Sequence, residues 1–151
     1  MDGVLLLKLA HIASAIVAVG ANLTYAFWIR RAEADPQHLA WTLGTIRRLD
    51  NRMATPSYVL VLLTGLGMIA LGHFNLSVAW IQLAIALYVL VVIVTIVGFA
   101  PAFRRQLAAA EQDPGSQAYR DAAKRTTIFT WVTIGVVVVI IYLMVFKPIL
   151  W

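Results

Sequence analysis

The residues with the most chemical reach lie on one stripe of the first apolar stretch: His11, Ser14, Ala15, Ala18, Asn22 and Tyr25. At about 100° per residue they fall within one wedge of a helix. Leu5, Leu9, Ile12, Ile16, Leu23 and Phe27 take the other side, which suits lipid tails. Histidine and asparagine are costly in hydrocarbon, so the stripe must face protein, water or a ligand. His11 has three functional readings: haem iron ligand, proton relay, or hydrogen-bond partner of a quinone or porphyrin. Its structural reading is an imidazole bonded to a neighbouring helix, for which Gln82 or a backbone carbonyl would serve. The residue types leave both open.

Other candidates are weaker. His73 closes the second apolar stretch and would have to fold inward to share a ligand with His11. His38 belongs with the basic loops, where a solvated helix start accounts for it. All seven acids fall at a terminus or in those loops, which disfavours a carboxylate proton path or a dinuclear metal site. Cysteine is absent, which excludes disulfides, thiolate zinc and iron–sulfur clusters. Neither a phosphate-binding glycine loop nor a nucleophile elbow occurs. Arg30, Arg31, Arg104 and Arg105 stand at the ends of two apolar stretches, as topology anchors or as partners of porphyrin propionates or anionic lipid.

The elements that must position these groups follow from composition. Of 151 residues, 62% are hydrophobic and 13% charged, against roughly 25% charged in soluble domains. Four windows are nearly charge-free: Val4–Ile29, Ala54–Leu71, Val78–Phe103 and Ile128–Phe146. Each meets or approaches the ~20 residues that cross a ~30 Å hydrocarbon core. The first lacks the form of a cleavable signal peptide, and little chain is left over for a soluble part. The expected fold is all-α, a transmembrane bundle of four antiparallel helices in a single membrane domain covering residues 1–151.

Ten of the twelve basic residues lie in two loops, 30–52 and 104–125. This is the positive-inside pattern. It places both loops in the cytoplasm and both termini outside, in a bacterial-type cytoplasmic membrane. The charge is therefore read as topology and anionic-lipid contact, with no nucleic-acid partner.

Within the first loop, Asp35–Pro36 is a helix start, and Leu39, Leu43 and Ile46 follow at helical spacing. That predicts a short amphipathic interfacial helix, with Thr55–Pro56 capping the second span. Thr64, Gly65, Gly67 and Gly72 let that span pack closely. Gly98 and Pro101 loosen the inner end of the third span, and Arg104–Arg105 close it. Asp113–Pro114 starts a helix that runs into the fourth span. The Glu33-Ala34-Asp35-Pro36 and Glu111-Gln112-Asp113-Pro114 units match. A duplicated hairpin and independent capping chemistry both account for them.

Taken together, these motifs carry a family resemblance. The early His11, the Trp28 to Arg31 exit followed by Ala32-Glu33-Ala34-Asp35, the Arg52-Met53-Ala54-Thr55-Pro56 segment, Trp80 and Phe146-Lys147-Pro148 resemble HemJ-type membrane proteins. Those are four-helix relatives of the CopD membrane domain. Residues 54–66 are similar to a neighbouring family of predicted integral membrane proteins of unassigned function. The HemJ resemblance implies haem b as cofactor and protoporphyrinogen oxidation as activity. His11 carries over as the iron ligand. Gln82 and Ala84 stand where the resemblance has a histidine and a lysine, so the catalytic partners do not carry over and no catalytic residue is assigned.

Two functional expectations result. The first is a non-catalytic accessory or assembly subunit of a membrane complex, packed in the bilayer against other subunits or a second copy. The alternative is a haem-, porphyrin- or quinone-binding redox protein built on His11, with Asn22, Tyr25, Gln82 and Arg30 as further binding residues.

Overall fold

The computed structural model describes residues 2–72 and 76–149. All regular structure among them is helical. Four continuous helical runs, Gly3–Glu33, Pro36–Leu71, Ala79–Gln112 and Gln117–Phe146, are long and apolar enough to cross a membrane. The chain divides into two compact units, Met1–Asn75 and Leu76–Trp151. Each is an antiparallel helical hairpin.

In the first unit, α1 (Asp2–Glu33) turns at Asp35 into α2 (Pro36–Leu49), then a π-helical segment (Asp50–Ala54), then α3 (Thr55–Leu71). Asp35 is the N-cap of α2 and Pro36 opens it, as the residue types require. The Asp35 side chain does not cap the backbone. Its carboxylate meets the Nδ1 of His38 at 2.8 Å on the exposed surface. Leu39, Leu43 and Ile46 are buried against this hairpin, which accounts for the amphipathic spacing.

The helix expected at the interface does not lie apart from the second span but runs into it. Thr55–Pro56 is not a fresh start. The Thr55 amide bonds back to Asp50 O, a π-type link. Proline explains the change of pitch. Pro56 has no N–H for the carbonyl one turn earlier, and its ring crowds that turn, so a wider turn relieves both.

The second unit repeats the device. Helix α4 (Ala79–Ile93) passes through a π-helical segment (Val94–Phe99) into α5 (Ala100–Gln112), and Pro101 follows that segment as Pro56 follows the other. Arg104 and Arg105 therefore do not end the helix. The buried face of Ala102 and Phe103 continues past them through Gln106, Leu107 and Ala110, on the helix packed against α6 (Gln117–Phe146), where Tyr119, Ala122 and Thr126 are buried.

Ser116, not Asp113–Pro114, caps α6, accepting a bond from the Tyr119 amide at 3.1 Å. Asp113 instead ends α5 and accepts from the Gly115 amide at 2.8 Å. The two matched Asp-Pro units thus do different work. The π segment also lies on the second helix of one hairpin and the first helix of the other. Lys147 closes α6 in the left-handed conformation, with its ammonium over the Trp80 ring.

Candidate ligand site at His11

The stripe on α1 faces into its own hairpin. Ala18 and Tyr25 are buried, while His11, Ser14, Ala15 and Asn22 are half-buried. Leu5, Leu9, Ile12, Ile16, Leu23 and Phe27 are all exposed on the opposite side.

His11 is held by α3. Its Nδ1 lies 2.9 Å from the carbonyl oxygen of Val61 and 3.1 Å from Thr64 Oγ1. A carbonyl oxygen can only accept, so the proton sits on Nδ1 and the bond network sets the tautomer. Thr64 spends its own hydroxyl proton on the Leu60 carbonyl at 2.5 Å, which leaves its oxygen free to accept from His11. Gly65 makes the approach possible: a Cβ there would stand 3.3 Å from His11 Cε1. Gly67 does the same for Leu7, at 3.2 Å from its Cδ1. Among the described residues the Nε2 atom has no hydrogen-bond partner. In the neutral ring it is the lone-pair nitrogen, oriented by the bond on the other side of the ring, which is how protein histidines are set up as metal ligands.

Asn22 and Tyr25 belong to a second polar group nearer the turn. Asn22 Nδ2 donates to the Ala18 carbonyl at 2.8 Å and to the Tyr58 hydroxyl at 3.1 Å, which ties α1 to α3. Tyr25 is 8% exposed, and its buried hydroxyl has no hydrogen-bond partner. Asp50 and Tyr58 lie within electrostatic reach of it. Asp50 is half-buried in the π segment, where Thr55 Oγ1 donates to its carboxylate at 3.5 Å. The loop acid expected from the sequence is therefore part of a helix beside Tyr25.

The remaining candidates stand elsewhere. Arg30 is exposed and nineteen residues from His11 on the same helix, about 28 Å along its axis. Gln82 is exposed on α4 of the second unit, and the His11 ring takes the Val61 carbonyl instead. His73 lies outside the described residues. Among the described residues no three His, Cys, Asp or Glu side chains gather in a metal-binding group. An iron at His11 would take its other donors from a macrocycle.

A family model for predicted integral membrane proteins, DUF2269, matches residues 5–148. The chain belongs to the DUF2269 family. No curated protein and no solved structure matches it. As a DUF2269 member the chain is an integral membrane protein, and the exposed Leu5, Leu9, Ile12, Ile16, Leu23 and Phe27 of α1 form an apolar face suited to lipid. The stripe beneath them is the polar seam of the first hairpin. Neither Val61 nor Gly65 was legible as a partner of His11. A backbone carbonyl was one of the partners expected for His11, but which residue of α3 supplies it no side-chain type announces.

Proposed function

We propose that this DUF2269 protein is an accessory membrane protein whose first hairpin holds a haem-type group at His11. One observation carries the reading. The Nδ1–H of His11 is committed to the Val61 carbonyl, and among the described residues Nε2 has no partner. The Val61 bond thereby fixes the tautomer and orients Nε2, the nitrogen a metal would take. A single protein nitrogen suits a porphyrin iron, which brings its own equatorial donors. Bound there, the group would supply electron-transfer chemistry. The chain supplies the ligand atom, its orientation and an apolar wall. The resemblance to HemJ-type and CopD-type proteins bears on this reading through His11 alone. Arg30 is too far along α1 to hold propionates of the same group. The basic turns favour a bacterial-type cytoplasmic membrane with the turns of both hairpins inside.

A second reading is a colourless assembly subunit, in which His11 only interlocks α1 with α3. The close seat of the imidazole on Gly65 favours it.

The test is a visible spectrum of protein purified in mild detergent, oxidised and then dithionite-reduced, with and without added haem. We expect a Soret band that shifts on reduction and is lost in His11→Ala while the far-ultraviolet helical signal is kept. A wild type that stays colourless after haem addition refutes the ligand reading and leaves the interlock.

A further inference from the structure

A groove of about 500 Å³ runs along the outer side of α2 and the first π segment, lined by Trp41, Thr45, Arg48, Leu49, Arg52 and Met53. These residues recur at helical spacing on the face away from buried Leu39, Leu43 and Ile46. Trp41 is 67% exposed, and Leu49 and Met53 are also open. We infer that this groove binds the headgroup and upper acyl chains of one anionic phospholipid.

Three observations fix the occupant. The first is depth. The π segment that carries Asp50 and Arg52 packs against α1, whose apolar run ends at Trp28 and Arg30. Arg48 and Arg52 therefore stand where hydrocarbon gives way to headgroups. The second is charge. Among the described residues neither arginine has an ion-pair partner. Arg48 Nε donates to the Gly44 carbonyl at 3.3 Å, which lays the side chain along the helix and leaves its terminal nitrogens free. Guanidinium groups of this kind are suited to phosphate oxygens. The third is the order of lining along the axis. Met53 lies at the membrane end, Arg52, Leu49 and Arg48 alternate above it, and Trp41 stands about 10 Å beyond Arg48 toward the turn. Apolar and cationic groups side by side suit an acyl chain next to its phosphate, and an indole one to two turns beyond suits the polar headgroup layer. A free phosphate would leave the apolar part of the groove unused.

The test uses the full chain in mild detergent and native mass spectrometry, with phosphatidylglycerol and phosphatidylcholine of identical acyl chains. Wild type should retain phosphatidylglycerol preferentially. The double variant Arg48→Gln/Arg52→Gln should lose about thirtyfold in apparent affinity, roughly fivefold per arginine. Arg104→Gln/Arg105→Gln removes the same charge from exposed positions of the other unit and should retain the lipid. Trp41→Ala should weaken retention without abolishing it. Glycerol phosphate at equal concentration should not compete. Equal retention of the two lipids by wild type, equal losses in the two double variants, or full competition by glycerol phosphate each overturns the inference.

Discussion

Gly98→Ala separates tight packing from helix propensity within the second hairpin. A Cβ at Gly98 would lie 2.4 Å from Phe129 Cε1 and 2.7 Å from both Cδ1 and Cζ. Carbon atoms meet comfortably at about 3.5–4.0 Å, so the ring must retreat by roughly 1 Å or more. Three atoms along one edge of the half-buried ring are hit at once, so the whole ring must move. Overpacking of this kind costs about 1–3 kcal/mol. Against it stands the gain of about 1 kcal/mol for alanine over glycine in a helix. Gly20 isolates that second effect, because nothing lies within 4 Å of its would-be Cβ. Thermal unfolding in mild detergent, followed by circular dichroism, should therefore place Gly98→Ala below Gly20→Ala by about 1–3 kcal/mol. In a unit of this size that is about 4–8 °C for each kcal/mol. Adding Phe129→Ala removes the clash, so the double-mutant cycle should return a favourable coupling of about the clash energy. Equal stability of Gly98→Ala and Gly20→Ala, or a coupling under about 0.5 kcal/mol, would falsify the packing argument.

Three further outcomes are expected. Asn22→Ala breaks the link to Tyr58 and should cost about 0.6 kcal/mol, with a ceiling near 1.7, the range of side-chain hydrogen bonds between membrane helices; the same unfolding assay checks it, and a larger loss would mean Asn22 holds something besides Tyr58. Tyr25→Phe deletes a buried hydroxyl that has no partner, so stability should be unchanged or slightly raised; a drop above about 1 kcal/mol would show that a water or ligand occupies the space toward Asp50. The chain has no cysteine, so single cysteines report topology cleanly. In intact cells an impermeant thiol reagent should label Ile149→Cys and spare Gln37→Cys and Gln117→Cys, and the reverse pattern would invert the proposed orientation.

The four spans and the lipid side of α1 were legible because in a membrane protein burial and helical periodicity report the same thing. Leu5, Leu9, Ile12, Ile16, Leu23 and Phe27 are exposed together for the reason that His11, Asn22 and Tyr25 turn inward together. The path of the chain around Pro56 and Pro101 was not legible. A Thr-Pro pair reads as a helix start whether the preceding residues end a helix or widen into a π turn. What decides is the burial of Leu39, Leu43 and Ile46 before one proline and of Phe103, Gln106 and Leu107 after the other, which keeps each helix running. The cost of that continuity appears locally, since each π segment sits immediately before its proline. It also has a consequence for chemistry. By carrying Asp50 in a helix instead of a loop, the first π segment brings a carboxylate within reach of Tyr25, whose hydroxyl no protein group satisfies. The polar seam of the first hairpin thus has two stations. One, at His11, offers an oriented nitrogen; the other holds the unsatisfied Tyr25 hydroxyl within electrostatic reach of Asp50. A ligand nitrogen at His11 and a carboxyl group at Asp50 are different chemistries. They are separated experimentally because His11→Ala acts on the first station and Tyr25→Phe on the second, with no hydrogen bond shared between them.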